Sequence, residues 1–161
     1  MFLDLPPSDN NIIRTLSIHT VYADQIRDGT KIFELRTYCP NILPGGWCVL
    51  YEGRPEQLIR TAFKAGRTFK LPPDDAWQIY QPYFGIDFDS FFTYFRKRKF
   101  AYGVEIEQVH SFDPIPLHEL RGKYNFNVPQ GCQYLKGDFH KRITKILDST
   151  AVTHKNPPFD S

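Results

Sequence analysis

Short strand-like segments outnumber helical ones in this chain of 161 residues, and turn residues separate them at irregular intervals. The strand-like segments cover residues 15–19, 31–37, 47–51, 58–63 and 100–112. A doubly wound parallel sheet would instead alternate its strands regularly with longer helices. The pattern therefore predicts an α+β fold: a small mixed or antiparallel β-barrel surrounded by short helices.

Short helices are predicted within this strand-rich region, including one over residues 75–80 and a helical turn over 118–121. Thr20 is a favourable N-cap for a short helix over residues 21–28, and Gly29 is a favourable residue to end it. Asp87 is expected to cap a second helix, in which phenylalanine recurs at helical spacing. Because a helix dipole favours cations at the C-terminus, we expect this helix to end in the run Arg96, Lys97, Arg98 and Lys99.

The end of the chain is predicted to form a further helix. Residues 138–149 carry a single apolar stripe, which is typical of an amphipathic helix, and residues 156–158 are expected to fray. We predict an N-terminal arm over residues 1–14, a barrel domain over 15–135, and a C-terminal helix and tail over 136–161 that pack on the same domain.

Composition restricts the class of protein without fixing the function. A net charge of +2 does not by itself indicate a nucleic-acid-binding protein, whereas the 16% aromatic content fits either a core or a nucleobase site. Three widely spaced cysteines suggest reduced thiols and a cytoplasmic protein. The sequence shows no signal peptide, no apolar membrane span and no histidine or cysteine spacing typical of a metal site, so no membrane association, metal or cofactor is predicted.

The segment DGTKIFELR, residues 28–36, contains three charges in one short strand. Side chains alternate along a strand, so Glu34 and Arg36 share a face. Lys31 begins the predicted strand, and its ammonium can curl round to the same side. On the residues alone, Glu34 and Arg36 are either an ordinary surface ion pair or part of a cleft that presents a planar donor group to a phosphate, carboxylate or base edge.

The run from Arg96 to Lys99 allows two interpretations of its own. Clustered cations followed by Phe100 and Tyr102 fit a surface that binds phosphates and stacks bases. Four cations are also the usual composition of a solvated helix end. Lys141, Arg142 and Lys145 extend the basic surface if the last helix packs nearby.

Three stretches, in order, resemble the ASCH domain, a branch of the PUA-like superfamily. Residues 17–36, SIHTVYADQIRDGTKIFELR, resemble its opening signature, in which Gly-x-Lys leads into a strand ending in Glu-Leu-Arg. Residues 99–120 are similar to a late strand of the family and the proline-led turn after it. Residues 128–135, VPQGCQYL, resemble its closing segment.

This resemblance implies a barrel with a cleft beside the strand from Lys31 to Arg36, and an association with RNA. We therefore expect RNA or a nucleotide to bind in a cleft lined by Lys31, Glu34 and Arg36. Phosphates are expected to follow the patch from Arg96 to Lys99. The closing segment suggests that Gln130 or Gln133 reads the Watson–Crick edge of an unstacked base.

Some ASCH members are enzymes, which leaves catalysis open. Members that remove an acyl group from acylated cytidine have a catalytic lysine at the position of Lys31. This chain, however, has Glu34 where they carry threonine, and no acid in residues 81–85, where they use glutamate. In a ribonuclease, Lys31 would stabilise charge on the phosphate while Glu34 moves a proton. A third alternative is a protein-interaction domain.

Overall fold

The computed structural model describes residues 1–9, 11–149 and 151–157. In these residues seven strands form one sheet: β1 (Ile13–Ile18), β2 (Phe33–Arg36), β3 (Trp47–Glu52), β4 (Leu58–Leu71), β5 (Ala101–Pro116), β6 (Cys132–Tyr134) and β7 (His154–Lys155). The helices are α1 (Thr20–Asp28), α2 (Pro73–Tyr80), α3 (Phe88–Tyr94), α4 (Leu117–Tyr124) and α5 (Gly137–Ser149), with a 3-10 turn at Gln81–Tyr83.

The sheet is mixed and strongly curled. Its strand order is β2-β5-β4-β3-β1-β6, and β7 pairs with β5. Only β1 and β3 run parallel among the described pairs. Register shifts interrupt the long pairing of β4 with β5, and such irregularities bend strands and increase their twist. The result is a half-barrel with helices around it, which confirms the predicted α+β barrel fold.

An aromatic cluster fixes β2 against the helices. Phe33 on β2 contacts the rings of Phe69 and Tyr80 at centroid distances of 5.3 and 5.1 Å. Gly103 on β5 permits this packing, because a Cβ atom there would lie 2.0 Å from the Phe69 ring. The same cluster includes Phe91 of α3. Much of the aromatic excess therefore serves the core, and the cluster holds both β2 and α3 in place.

Two predicted helix ends were wrong. Thr20 is the first residue of α1 rather than its cap, because His19 occupies the N-cap position. Helix α3 ends at Tyr94, so the cations from Arg96 to Lys99 form a turn after it. Lys97 has a φ of 59°, in the left-handed region that a helix cannot continue through. The predicted cap of Asp87 is confirmed, since its carboxylate accepts a hydrogen bond from the Ser90 amide.

Both ends of the described chain join the sheet. The amide of Leu3 donates a hydrogen bond to the Thr68 carbonyl at 2.7 Å, and residues 13 and 14, assigned to the arm, belong to β1. Asn156 is buried, and its side chain donates to the Ile106 carbonyl at 2.7 Å. The expected fraying is therefore wrong at Asn156, while residue 158 lies outside the described residues. No described helix combines the length and apolar character needed to cross a membrane.

Candidate functional site

A cavity of about 590 Å³ opens between α1, β2 and α3. A volume of this size is typical of small-molecule sites. Three groups of residues line it: the end of β1 and α1 (Ser17, Ile18, His19, Tyr22), the segment of β2 (Lys31, Glu34, Leu35, Arg36) and α3 with the loop before it (Ile86, Asp89, Ser90, Thr93, Tyr94). The three charged residues singled out in the sequence thus line one cavity.

Lys31 reaches the cavity because it lies before the strand. Gly29 ends α1 with a φ of 82°, and the amides of Thr30 and Lys31 both donate to the Gln25 carbonyl. Strand β2 then begins at Phe33. Since Lys31 is outside the strand, its side chain is not bound by the alternation of β2. The ammonium therefore lines the same cavity as Glu34 and Arg36.

The ammonium of Lys31 is held in a nearly dry position. The residue is only 3% exposed, and Nζ donates a hydrogen bond to the main-chain carbonyl of Phe84 at 2.7 Å. Nζ also lies 5.2 Å from the centre of the Tyr22 ring. Burial lowers the pKa of Lys31, which Glu34 partly counteracts and Arg36 lowers further. The ammonium carries three N–H donors, of which the bond to Phe84 uses one.

Glu34 and Arg36 share the cavity face of β2, as strand alternation predicts. Each is 7% exposed, so they are not a solvent-exposed surface pair. The Arg36 Nη2 atom lies 3.5 Å from Glu34 Oε1, an ion-pair distance that is long for a hydrogen bond. Both Nε and Nη2 of Arg36 are buried without a hydrogen-bond partner. Because buried donors without partners are costly, this guanidinium is suited to donate hydrogen bonds to a ligand.

An ion network holds α1 against the sheet. Glu52 on β3 is fully buried, and its carboxylate accepts hydrogen bonds from Nε and Nη2 of Arg60 at 2.8 and 2.9 Å. Arg27 of α1 donates to the same carboxylate at 3.1 and 3.2 Å. Although burial by itself raises the pKa of Glu52, these hydrogen bonds hold it below its usual value. The network fixes the helix that supplies Tyr22 to the cavity.

The predicted basic patch lies beside the cavity rather than inside it. The cations from Arg96 to Lys99 are exposed, and they follow directly after Thr93 and Tyr94, which line the cavity. Nζ of Lys99 lies 5.4 Å from the centre of the Phe100 ring, and that of Lys70 lies 4.4 Å from it. Lys70 was not identified from the sequence, because its place next to Phe100 depends on the pairing of β4 with β5.

Other predicted residues lie elsewhere. Gln133 donates to the Asn127 carbonyl at 2.9 Å and lines a separate depression near α4 and α5, while Gln130 is exposed and does not line the cavity. Lys141 and Lys145 of α5 do not line the cavity either. In the described part of the chain no cluster of three His, Cys, Asp or Glu residues is able to hold a metal ion.

Sequence reasoning missed the aromatic walls of the cavity. Tyr22 lies in the stretch that resembles the ASCH signature and faces the cavity from α1. Tyr94 is the last residue of α3, and its hydroxyl donates to the Leu35 carbonyl at 3.4 Å. No local sequence pattern identifies Tyr94, because only the tertiary packing of α3 brings it to the cavity.

Comparison with known proteins agrees with this architecture. The crystal structure of ASCH from Zymomonas mobilis matches with a TM-score of 0.77 at 19% identity, covering 89% of this chain and 98% of that one. A tyrosine-to-phenylalanine variant of that protein (TM-score 0.76, 18% identity, 86% and 99% coverage) and a serine-to-alanine variant (0.77, 19%, 89% and 100%) match similarly. No curated protein sequence matches significantly. The ASCH domain family model matches residues 16–147, and the chain therefore belongs to the ASCH domain family.

Proposed function

We propose that this ASCH domain binds single-stranded RNA and seats one unstacked base in the cavity. The observation that carries the proposal is the convergence of Lys31, Glu34 and Arg36, all nearly buried, on one cavity of about 590 Å³. A folded domain gains nothing in stability from burying Arg36 without hydrogen-bond partners for two of its nitrogens. Such an arrangement is expected where a ligand completes the hydrogen bonding.

The walls of the cavity suit a base. The rings of Tyr22 and Tyr94, together with Ile18, Leu35 and Ile86, offer apolar surface to its faces. Single-stranded RNA is commonly recognised by stacking its bases on aromatic side chains and hydrogen bonding their edges. The charged groups near β2 then contact the base edge.

The turn from Arg96 to Lys99 supports the proposal that the ligand is a strand of RNA rather than a free base. These exposed cations follow the helix that forms one wall of the cavity, and we expect them to contact phosphates on either side of a seated base. Phe100, flanked by Lys70 and Lys99, provides a further aromatic surface beside the patch. Cations next to an aromatic ring are the usual composition of a single-strand binding surface.

Titration of a labelled single-stranded RNA at several salt concentrations tests the proposal. We expect Lys31→Met to weaken binding about 10- to 100-fold, as for loss of a hydrogen bond to a charged group. Replacing the four cations from Arg96 to Lys99 by glutamine is expected to reduce the slope of log K against log salt by about 0.7 for each phosphate contact removed.

A matched control is available on another surface. Four exposed cations that do not line the cavity are replaced by glutamine, giving the same change in net charge: Arg121, Lys136, Lys141 and Lys145. This variant is expected to retain most of the affinity and the salt slope. Equal losses in both quadruple variants mean that binding depends on net charge alone, and that result contradicts the proposal.

A second candidate function is hydrolysis of an RNA-derived substrate, and the lowered pKa of Lys31 favours it. Burial makes a lysine a better base or nucleophile near neutral pH. Glu34 lines the same cavity and is available for proton transfer. Incubation with acylated cytidine and with labelled RNA, for wild type and Lys31→Met, tests this candidate. Products that the variant does not form support an enzyme, and intact substrates with retained RNA binding support a binding domain.

A further inference from the structure

The free edge of Arg36 specifies which atoms the ligand presents to it. Nε and Nη2 of an arginine point in the same direction and together contact two acceptors. Arg60 shows this edge filled, since it binds both oxygens of Glu52 through Nε and Nη2 at 2.8 and 2.9 Å. In Arg36 the same two nitrogens are buried without hydrogen-bond partners. Arg36 therefore lacks a group that presents two neighbouring acceptors.

Glu34 restricts the charge and the hydrogen-bonding pattern of that group. Its Oε1 atom lies 3.5 Å from Arg36 Nη2, so a phosphate or carboxylate on the free edge would meet a second negative charge at close range, although Lys31 lines the same cavity. A neutral group that carries an N–H donor next to its two acceptors avoids this repulsion, because Glu34 then accepts a hydrogen bond from it. The required order along the ligand edge is acceptor, acceptor, donor.

Two of the four RNA bases present this order. In cytosine it is O2, N3 and the N4 amino group; in guanine it is N7, O6 and N1–H. Uracil places its N3–H donor between two acceptors, and adenine has no two neighbouring acceptors on a base edge. Against Arg36 and Glu34, uracil and adenine would each leave a buried polar group unpaired, which is the strongest basis for rejection.

We propose that Arg36 and Glu34 select cytosine or guanine over uracil and adenine at the base that occupies the cavity. Arg36 donates from Nε and Nη2 to the two acceptors, and Glu34 accepts from the adjacent N–H. This inference rests on the proposed function, since it specifies the base that a bound RNA strand seats. It does not require any chemical step.

The base reaches the buried edge of Arg36 past Tyr94. This side chain lines the cavity and is 44% exposed, and its hydroxyl donates a long hydrogen bond of 3.4 Å to the Leu35 carbonyl. Exposed side chains change rotamer rapidly. We therefore place the movable wall of the cavity at Tyr94, while Lys31 and Glu34 stay fixed on the side of β2.

The test uses short RNA strands that are abasic except at one central position. Wild type is expected to bind the strands with cytosine or guanine about 10-fold or more tightly than those with uracil or adenine. Single-atom changes sharpen the test: 3-deazacytosine and 7-deazaguanine each lose one of the two acceptors, and both are expected to bind no better than uracil.

Two variants separate the effect of the positive charge of Arg36 from the effect of its two-nitrogen edge. Arg36→Lys keeps the positive charge but lacks the two-nitrogen edge, so the discrimination is expected to disappear. Lys99→Gln is expected to weaken all four strands equally and leave the discrimination unchanged. Equal wild-type affinity for the four bases overturns the inference while the proposed function stands. If ordinary single-stranded RNA does not bind either, the proposed function itself fails.

Discussion

The Nζ atom of Lys31 donates a hydrogen bond to the main-chain carbonyl of Phe84 at 2.7 Å, although the two residues lie 53 positions apart in the chain. This contact ties the segment before β2 to the segment before α3. It uses one of the three N–H donors of the ammonium and leaves the others beside the cavity that Lys31 lines. The lysine is thus fixed in place and still able to bind a ligand.

Because the charge of Lys31 is buried, the free energy of unfolding should vary with pH in the alkaline range. Because the pKa of Lys31 is lowered in the folded state, the unfolded chain binds more protons at pH values between that pKa and the ordinary lysine value of about 10.4. The cost of burying the charge is fully present below the folded pKa and is relieved as pH rises through this window. Relative to Lys31→Met, wild type should therefore gain stability as pH rises.

Urea unfolding of both proteins at pH 7 and pH 10 measures this difference in the free energy of unfolding. The ionisation of tyrosines distant from Lys31 affects both proteins alike and cancels in the comparison. Lys99→Met, which changes an exposed lysine, serves as the control and should show no such trend. If the difference in the free energy of unfolding between wild type and Lys31→Met is the same at both pH values, the Lys31 ammonium is hydrated in the folded protein and its pKa is not lowered, which contradicts the prediction.

The Glu34–Arg36 pair is expected to reduce the stability of the ligand-free protein. Arg36→Met alone leaves a buried carboxylate without its counter-charge and should lower the free energy of unfolding by about 3 kcal/mol. The double variant Glu34→Leu with Arg36→Met removes both charges and should be as stable as wild type or more stable by about 1–4 kcal/mol. Urea unfolding without RNA measures both; a double variant no more stable than Arg36→Met would show that the two charges are not coupled.

Glu52, in contrast, is expected to stabilise the fold. Glu52→Gln leaves two arginines around a neutral side chain and should lower the free energy of unfolding by about 3 kcal/mol at pH 7. Because the folded pKa of Glu52 is lowered, this advantage is present above the ordinary glutamate value of about 4.3 and is lost as pH falls through the folded pKa.

Unfolding of wild type and Glu52→Gln from pH 7 down to pH 3 tests this expectation. The difference between the two proteins should shrink on acidification. Glu119, which binds Arg142 and Lys123 on the surface of α4 and α5, is the matched control, and Glu119→Gln should cost much less. A loss for Glu52→Gln as small as that for Glu119→Gln would contradict the account of the network.

The sequence predicted what depends on local geometry. Glu34 and Arg36 share a face because β2 is a regular strand, and Asp87 caps α3 because its carboxylate reaches an amide three residues away. Residues that depend on distant packing were missed or misplaced. Tyr94 reaches the cavity only because Phe91 and Phe95 of the same region pack in the core.

Two further predictions from the sequence differ from the structure because they depend on the path of the chain beyond the local segment. The helix before Arg96 ends early because the chain turns at Lys97 in a left-handed conformation, which no helix-dipole argument anticipates. Gln133 lies on another face because its strand β6 pairs with β1 at the far edge of the sheet from β2. Sheet order is set by long-range pairing, and a single sequence does not reveal it.

The most direct test of the cavity as an RNA site is an NMR titration of the Arg36 Nε–H signal with single-stranded RNA. The signal is assigned by its disappearance in Arg36→Lys. If a base seats in the cavity, this signal shifts and saturates at the same RNA concentration as binding measured independently. If RNA binds while the Arg36 Nε–H signal stays unchanged throughout the titration, the base is not in this cavity and the account is contradicted.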